Sequence, residues 1–448
     1  MSLRDDAIAI WKAGVASVDS AAAVQRAIQI PGHRLLMNGV ELNFSGDARI
    51  EVVGAGKAGA GMAAGIESAL LPALPRKLIS GWVNVPADCV RSLHCIHLHA
   101  ARPPGINEPT QAAVAGTEEI LRRIRRLEPQ DVCIVLLSGG ASALLCSPVP
   151  QITLSDKLAV TRALAASGAP IHELNLVRTQ LSQVKGGRLA TACRAGTLVA
   201  LIISDVIGDP LDVIGSGPTV DSSRRSEEAL QILSDRRLMN SVPASVIEYL
   251  RAPFAHQRGQ SPSSAVTNSI VASNRIALAA SATKAEQLGY TVESLGSEIA
   301  GDAATHGRDL LERMLTAKRS SENERVCILS GGEPTVNLSS ATDGNSYGKG
   351  GRNQELILAA VAAHPDAAAW SGLVLLSGGT DGEDGPTDAA GAFADEAIVR
   401  SVQGHDLQPT DFLVRHDSWT FFSTVDGLLK TGPTHTNVMD LRVGLVSQ

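Results

Sequence analysis

The sequence predicts an α/β protein made of two three-layer α/β/α domains with largely parallel sheets and a cleft between them, and three observations carry this. Of the 448 residues, 44% are hydrophobic but only 3% aromatic, so the apolar mass is Ala, Val, Leu and Ile, which suits helices packed on buried parallel strands. Short apolar runs alternate with helical stretches along the whole chain, the pattern of stacked βαβ units. The length exceeds one ordinary core, and 251–268, RAPFAHQRGQSPSSAVTN, is a Pro-, Ser-, Gln- and Arg-rich stretch without a period. Residues 1–250 are therefore one expected domain, 251–268 a boundary loop and 269–448 a second domain.

The expected buried strands are 48–53, 78–85, 131–137, 197–203, 325–329 and 372–376. The first, ARIEVV, leads into Gly54-x-Gly56-x-x-Gly59 and a helical stretch at 60–70, which is the outline of a dinucleotide-binding fingerprint. That fingerprint also needs a carboxylate about 20 residues on for the ribose. The next apolar run, LISGWVNVP, has none there. What remains is a Gly-rich turn whose N–H groups and helix N-terminus suit an anion, with the ammonium of Lys57 in its middle. The plainer alternative is a tight turn with a solvated lysine.

Three later strands end in Ser-Gly-Gly: VLLSGGASALL with Ser138, Gly139 and Gly140, CILSGGEPTV with Gly332 and Glu333, and VLLSGGTDGEDG with Asp381. A fourth, LIISDVIGDP, ends in Ser204 and Asp205. Ligands of open α/β sheets lie beyond the carboxyl ends of strands, so these loops mark one functional edge lined by phosphate-friendly turns. Two basic glycine loops add cations: QVKGGRLA with Lys185 and Arg188, and GNSYGKGGRNQEL with Lys349 and Arg352 at a helix start. The second is not a Walker A loop, because Asp343 stands five positions before Gly348 and a glycine follows Lys349. The acidic run Asp381, Glu383, Asp384 lacks calcium-loop spacing and suits at most weak Mg²⁺ contact through one or two carboxylates. His94, His97 and His99 would need a distorted strand to hold a metal together, since only the last two share a face.

A net charge of −7 and a pI near 5.9 leave no basic field for nucleic acid. The six cysteines form no C-x-x-C and read as free thiols in a reducing compartment. No run approaches the ~18 apolar residues of a membrane span and no signal-peptide pattern opens the chain, so no membrane partner and a cytoplasmic location are expected. An exposed sheet edge or helix face could support a homodimer.

The motifs GAGKAGAGM, LLSGGASALL, QVKGGRLA, SDVIGDP…GSGPTV, LSGGEPTV, GKGGRNQE, GGTDGEDGPTDAAGA and TGPTHTNVMDLRV follow the order found in the glycerate 2-kinases with a C-terminal MOFRL domain, and the chain resembles that family over nearly its whole length. Many relatives carry the older label of hydroxypyruvate reductase. The resemblance implies a Rossmann-like glycerate kinase-type domain, a MOFRL-type domain, and ATP- and Mg²⁺-dependent phosphorylation of the 2-hydroxyl of D-glycerate or a related hydroxy acid. It makes Lys57 and Arg352 the catalytic cations and puts Glu333, Asp381 and Asn437 in the active site. Within it, Gly54, Gly56, Ser138, Gly139, Gly140, Lys185, Ser204, Asp205, Gly332 and Glu333 are the expected nucleotide-binding residues. Asp381, Asn437 and Arg178 are expected on the acid substrate, with Asp205 and Asp381 toward the metal. The chain departs from the family at Arg102, where a Gly-His-Pro is usual, and at Arg178-Thr179-Gln180, where Arg-Lys-His is usual. These changes fall on the acid-binding part. The competing reaction class is a nicotinamide-dependent hydroxypyruvate reductase.

Overall fold

Apolar runs with no polar face must be covered on both sides, and in this computed structural model the strands Ile50–Ala55 and Val132–Leu137 built from two of them are buried at every position. The structure describes residues 2–32, 34–42, 47–221, 225–252, 263–320, 325–338 and 347–447. They divide into two units, Ser20–Val271 and Met1–Asp19 with Ala272–Gln448.

In the first unit a small antiparallel sheet of Ile28–Gln29 (β1), Leu35–Met37 (β2) and Val40–Leu42 (β3) precedes the main sheet. The main sheet contains Ile50–Ala55 (β4), Ile79–Pro86 (β5), Ile96–Arg102 (β6), Val132–Leu137 (β7), Thr197–Ile203 (β8) and Ala265–Ala272 (β9), in the order β6-β5-β4-β7-β8-β9. The ladders from β6 across to β8 are all parallel. On one face Val53, Ala55, Val135 and Leu137 pack with Ile120 and Leu121 of helix Gln111–Ile124. Between β7 and β8 the chain makes helices Leu154–Ala166 and Ile171–Gln180, and these join Ser226–Asp235 and Ala244–Arg251 in a separate apolar core around Leu164, Val177, Leu233 and Leu250. The sheet grows from β4 toward β6 and then, on the other side, from β7 toward β9. The reversal lies between β4 and β7, where an open α/β sheet leaves a crevice at its carboxyl edge.

In the second unit Thr291–Ser294 (β10), Val326–Gly332 (β11), Leu373–Gly379 (β12), Gly391–Asp395 (β13), Leu428–Leu429 (β14) and Asp440–Val446 (β15) form a sheet in the order β10-β11-β15-β12-β13-β14. Here the expectation of a largely parallel sheet is corrected. Only β10–β11 pair in parallel, while β15 runs antiparallel between β11 and β12, and β13 and β14 add antiparallel edges. A buried apolar run carries no sign of its direction, so composition could not report this.

The domain boundaries are corrected too. Helix Leu3–Ser17 packs with the C-terminal residues rather than with the segment that follows it. Trp11 donates its indole N–H to the Gly378 carbonyl at 3.3 Å, Arg4 grips Asp395 through two bonds, and Ser281 donates to the Ile10 carbonyl. Gly14 leaves the gap into which Ser281 and Leu441 fit. At the expected linker, 265–268 begin β9 and belong to the first sheet, while 253–262 lie outside the described residues. All six cysteines are free, Cys89 and Cys95 half-buried and the other four buried. No single helix among the described residues is long and apolar enough to cross a membrane.

Candidate active site

At the reversal point of the first sheet, the turn after β4 meets the loop after β7. Gly54 lies flat against Leu136, and a Cβ on Gly56, whose φ is +150°, would overlap the Ser138 hydroxyl. The N–H groups of the turn are already engaged: Gly56 donates to the Asn84 carbonyl at 3.2 Å, Lys57 to the Gly139 carbonyl at 2.8 Å and Ala58 to Ser138 Oγ at 3.1 Å. The expectation that Gly54 and Gly56 contact a nucleotide is therefore corrected. A pyrophosphate-binding fingerprint needs those donors free. The glycines instead let two loops close on each other, and that closure fixes the backbone of Lys57. Replacing Gly56 by Ala should destabilise the fold by about 2–3 kcal/mol, through a strained φ and the overlap with Ser138, measurable as a lower urea midpoint. Strand β5 also runs past the expected end to Pro86, and Asp88 follows it, so a carboxylate does stand beyond that strand. The engaged N–H groups, rather than a missing acid, set this turn apart from a dinucleotide site.

The free donors lie on the β7 loop instead. Gly140 has φ +79°, and among the described residues no protein acceptor takes the N–H of Gly139 or Gly140, which leaves a backbone nest open to an anion. A Cβ at Gly140 would lie 3.4 Å from Lys57 Cγ and 3.3 Å from Arg102 Nη2, so both cations flank it. The Lys57 side chain is exposed, and its ammonium has no hydrogen-bond acceptor among the described residues. Arg102 is 4% exposed; it donates to Asn107 at 2.9 Å, its Nε has no partner among the described residues, and burial pulls its pKa below the ordinary value. On the other side Asp205 occupies the space a side chain on Gly139 would take. The neighbouring Ser204 is buried, and its hydroxyl turns back on Val206 in a local turn.

Behind this loop lies a group of cations without carboxylates. Ser142 Oγ accepts from Arg178 and from Lys185, each at 2.8 Å, and Lys185 also donates to the Gly215 carbonyl and Ser216 Oγ. Lys185 is fully buried, so its expected nucleotide contact is corrected: it holds the Ser142 and Gly215–Ser216 loops together. Lys157, 2% exposed, has no partner for its ammonium among the described residues, and burial brings its pKa to about 8. Burial also lowers Arg178 and Lys185, and only the Cys146 thiol works the other way. Buried cations with no counter-charge call for an anion from outside. Ser142 was not singled out in the sequence; its signal was only that it follows the Ser-Gly-Gly run.

The second unit gathers its own charges at the end of β15. The ladders put Gly332 of β11 and Gly379 of β12 on either side of Asp440. Arg352, first residue of helix Arg352–Ala363, makes a bidentate pair with fully buried Asp440 at 2.7 and 2.9 Å and a further bond to Glu333 at 2.9 Å. Burial works to lower the Arg352 pKa, but Asp440 wins and holds it above the ordinary value. Arg352 is thus not an idle cation awaiting an anion but a guanidinium held rigidly by carboxylates, about a third exposed. Gly332, with φ +121°, has the side where a Cβ would stand covered by the Ile299 backbone, so its glycine is required by packing. Gly331 and Gly378 make room for Asn274 and the Trp11 ring in the same way. These two Ser-Gly-Gly runs are strand residues, unlike the loop after β7.

The other expected residues resolve as follows. Asp381 accepts from the Glu383 N–H at 3.1 Å, and Asn437 from the Met439 N–H at 3.0 Å, both half-buried. Gly348, Gly350 and Gly351 close on Asp417, Ser418 and Asp384, and the Lys349 ammonium lies over the Trp419 ring at 3.9 Å. Asp384 is no cation ligand: it caps the Arg352 helix by accepting from the N–H groups of Asn353 and Gln354 at 3.0 and 2.9 Å. Burial raises its pKa to about 6 despite those bonds. Between about pH 4 and 6 the unfolded chain loses this proton while the fold keeps it, so this group's contribution to stability falls as pH rises through that window. The stability difference between wild type and Asp384→Asn should shift by about 2–3 kcal/mol in that direction from pH 4 to 7, read from urea midpoints. Among the described residues no three His, Cys, Asp or Glu side chains gather as a metal cluster. His97 and His99 stack on Trp82, 4.2 and 5.1 Å from its ring.

Two family models match the chain, a "Domain of unknown function (DUF4147)" over residues 6–251 and the MOFRL family over 326–440. The chain is 36% identical to the glycerate kinase of Danio rerio, covering 99% of this chain and 98% of that protein. It is 38% identical to a relative in Agrobacterium vitis named "Putative hydroxypyruvate reductase", covering 89% and 99%. Among solved structures, a glycerate kinase from Thermotoga maritima superposes with a TM-score of 0.84 at 31% identity, covering 99% of each chain.

Proposed function

Because the chain belongs to the glycerate kinase family, with a DUF4147 region followed by a MOFRL region, we propose that it is a kinase that transfers the γ-phosphoryl group of ATP to the 2-hydroxyl of D-glycerate or a closely related small hydroxy acid. The observation that carries this reading is the loop after β7: an open nest at Gly139–Gly140 flanked by Lys57 and Arg102, with the cations Arg178 and Lys185 gathered at Ser142 behind it and the unpartnered Lys157 among them. The arrangement suits an anionic acid and a phosphoryl group side by side.

In this reading Arg178 takes the carboxylate of the acid, seated through Ser142, and the Gly139 and Gly140 N–H groups take phosphate oxygens. Lys57 supplies mobile positive charge to the transferring group, whereas Arg352, fixed by Asp440 and Glu333, supplies a preorganised one. Arg102 and the Thr179–Gln180 pair tune which acid is accepted. Mg²⁺, when bound, neutralises charge on the phosphates. Asp205 beside Gly139 fits the oxygen donor set such an ion takes from one or two carboxylates, and Asp381 is the corresponding acid of the second unit.

Incubating the full chain with ATP, Mg²⁺ and D-glycerate, with NADH and hydroxypyruvate in a parallel vessel, tests the proposal. Phosphorus NMR then identifies the ester. The expected outcome is ADP formation dependent on glycerate with phosphate on the 2-oxygen. NADH oxidation without any phosphoryl transfer would reject the kinase in favour of the reductase, and a 3-phosphate ester would reject the regiochemistry alone.

A further inference from the structure

The C-terminal unit contains a cavity of about 140 Å³ that the proposed reaction leaves unused, walled by Ile299 and Leu310 and carrying Ser330, His306, Asp309 and Arg442. Arg442 is the informative residue. It stands in the middle of β15, cross-strand from Ser330, and is 1% exposed. Its Nη2 donates to the Gly332 carbonyl at 3.3 Å and lies 3.6 Å from Asp440, a carboxylate already engaged by Arg352. Its Nε and Nη1 have no hydrogen-bond partner among the described residues. Burial lowers its pKa to about 10, so it is still charged at neutral pH. Two buried guanidinium donors without acceptors are expensive, and a fold keeps such a group where something else completes it.

We propose that this cavity binds a small oxyanion bearing a hydroxyl group, of which hydrogenphosphate is the simplest and a short hydroxy acid the organic counterpart. Arg442 Nε and Nη1, which have no partner among the described residues, donate to the oxyanion together with the hydroxyl of Ser330, which lines the same cavity. Asp309, exposed at the same cavity, repels a bare anion but accepts from a ligand hydroxyl, so it selects for one. His306 is turned to the Ala300 carbonyl at 2.6 Å, and Ile299 and Leu310 limit the size. The site bears on function through Asp440: an anion on Arg442 relaxes its pull on the carboxylate that positions Arg352.

Titration calorimetry on the full-length chain carrying Lys57→Ala, which weakens anion binding at the Gly139–Gly140 nest, tests this with inorganic phosphate, lactate and acetate in separate runs. Saturable phosphate binding with millimolar or tighter affinity is expected, weakened about tenfold by adding Arg442→Met and about threefold by adding Ser330→Ala. Acetate, which lacks the hydroxyl, should bind more weakly than phosphate or lactate, and Asp309→Asn should narrow that gap. Lactate matching phosphate identifies the organic acid as a competent source of the same chemistry; phosphate alone identifies the inorganic ion. Should Arg442→Met fail to fold, Ser330→Ala still decides. No saturable heat up to about 10 mM phosphate, or phosphate binding unchanged in both Arg442→Met and Ser330→Ala, overturns the proposal.

Discussion

Replacing Lys57 by Ala is expected to lower kcat by about 10²–10³-fold while changing KM for the acid only a few-fold, because a charge that acts on the transferring group stabilises the transition state more than the bound substrate. Arg352→Ala should do the same. It also leaves Asp440 facing Arg442 alone, so its kinetics need the unfolding midpoint beside them. Arg352→Lys separates the two effects: it keeps the positive charge but loses the bidentate grip, and should recover much of the stability while leaving kcat at least about tenfold low. Lys57 belongs to Ser20–Val271 and Arg352 to the other unit, so the two variants are read separately, each against its own unfolding midpoint. A variant at Lys57 that raised KM while keeping full turnover would show a binding role only.

Asp440→Asn is expected to have the largest effect on stability. Asp440 is fully buried, accepts two bonds from Arg352 and lies 3.6 Å from Arg442, so the amide leaves two guanidiniums without their shared counter-charge. Removing one partner from a buried ion pair costs about 3–5 kcal/mol. The more exposed partner of Arg352, Glu333, gives the contrast: Glu333→Gln should change stability by less than about 1 kcal/mol. Adding Arg442→Met to Asp440→Asn should restore part of the loss, since it removes one of the stranded charges and replaces it with an apolar chain of similar length. Urea denaturation of the three variants checks this, and an Asp440→Asn protein within about 1 kcal/mol of wild type would mean that solvent reaches the pair.

Particular residues show why some of this was legible in the chain and some was not. The apolar runs at 48–53, 78–85, 131–137, 197–203, 325–329 and 372–376 all lie within or overlap observed strands, since a strand covered on both faces declares itself by composition alone. Lys57, Gly139 and Gly140 could be singled out because glycines and cations at strand ends are local features, and Arg352 because a glycine loop leads into its helix, whereas Arg178, inside helix Ile171–Gln180, was marked only by the family resemblance. What the glycines do was not local. Gly56 is needed because Ser138, eighty-two positions away, presses on it, and Gly332 because Ile299 does.

By itself, then, the order of residues determined the α/β class, most buried strands and the loops where charge collects, because burial on both faces and tight turns impose their requirements on neighbours in sequence. Only the tertiary structure decided that the glycine turn has no N–H to offer a pyrophosphate, that Lys185 is a buried strut, that the first helix belongs with the C-terminal residues, and that Asp440 and Arg442 stand behind Arg352. Those depend on which segments meet across tens to hundreds of residues. Strand pairing and packing are settled by the free energy of the whole core, and no short window of sequence contains it.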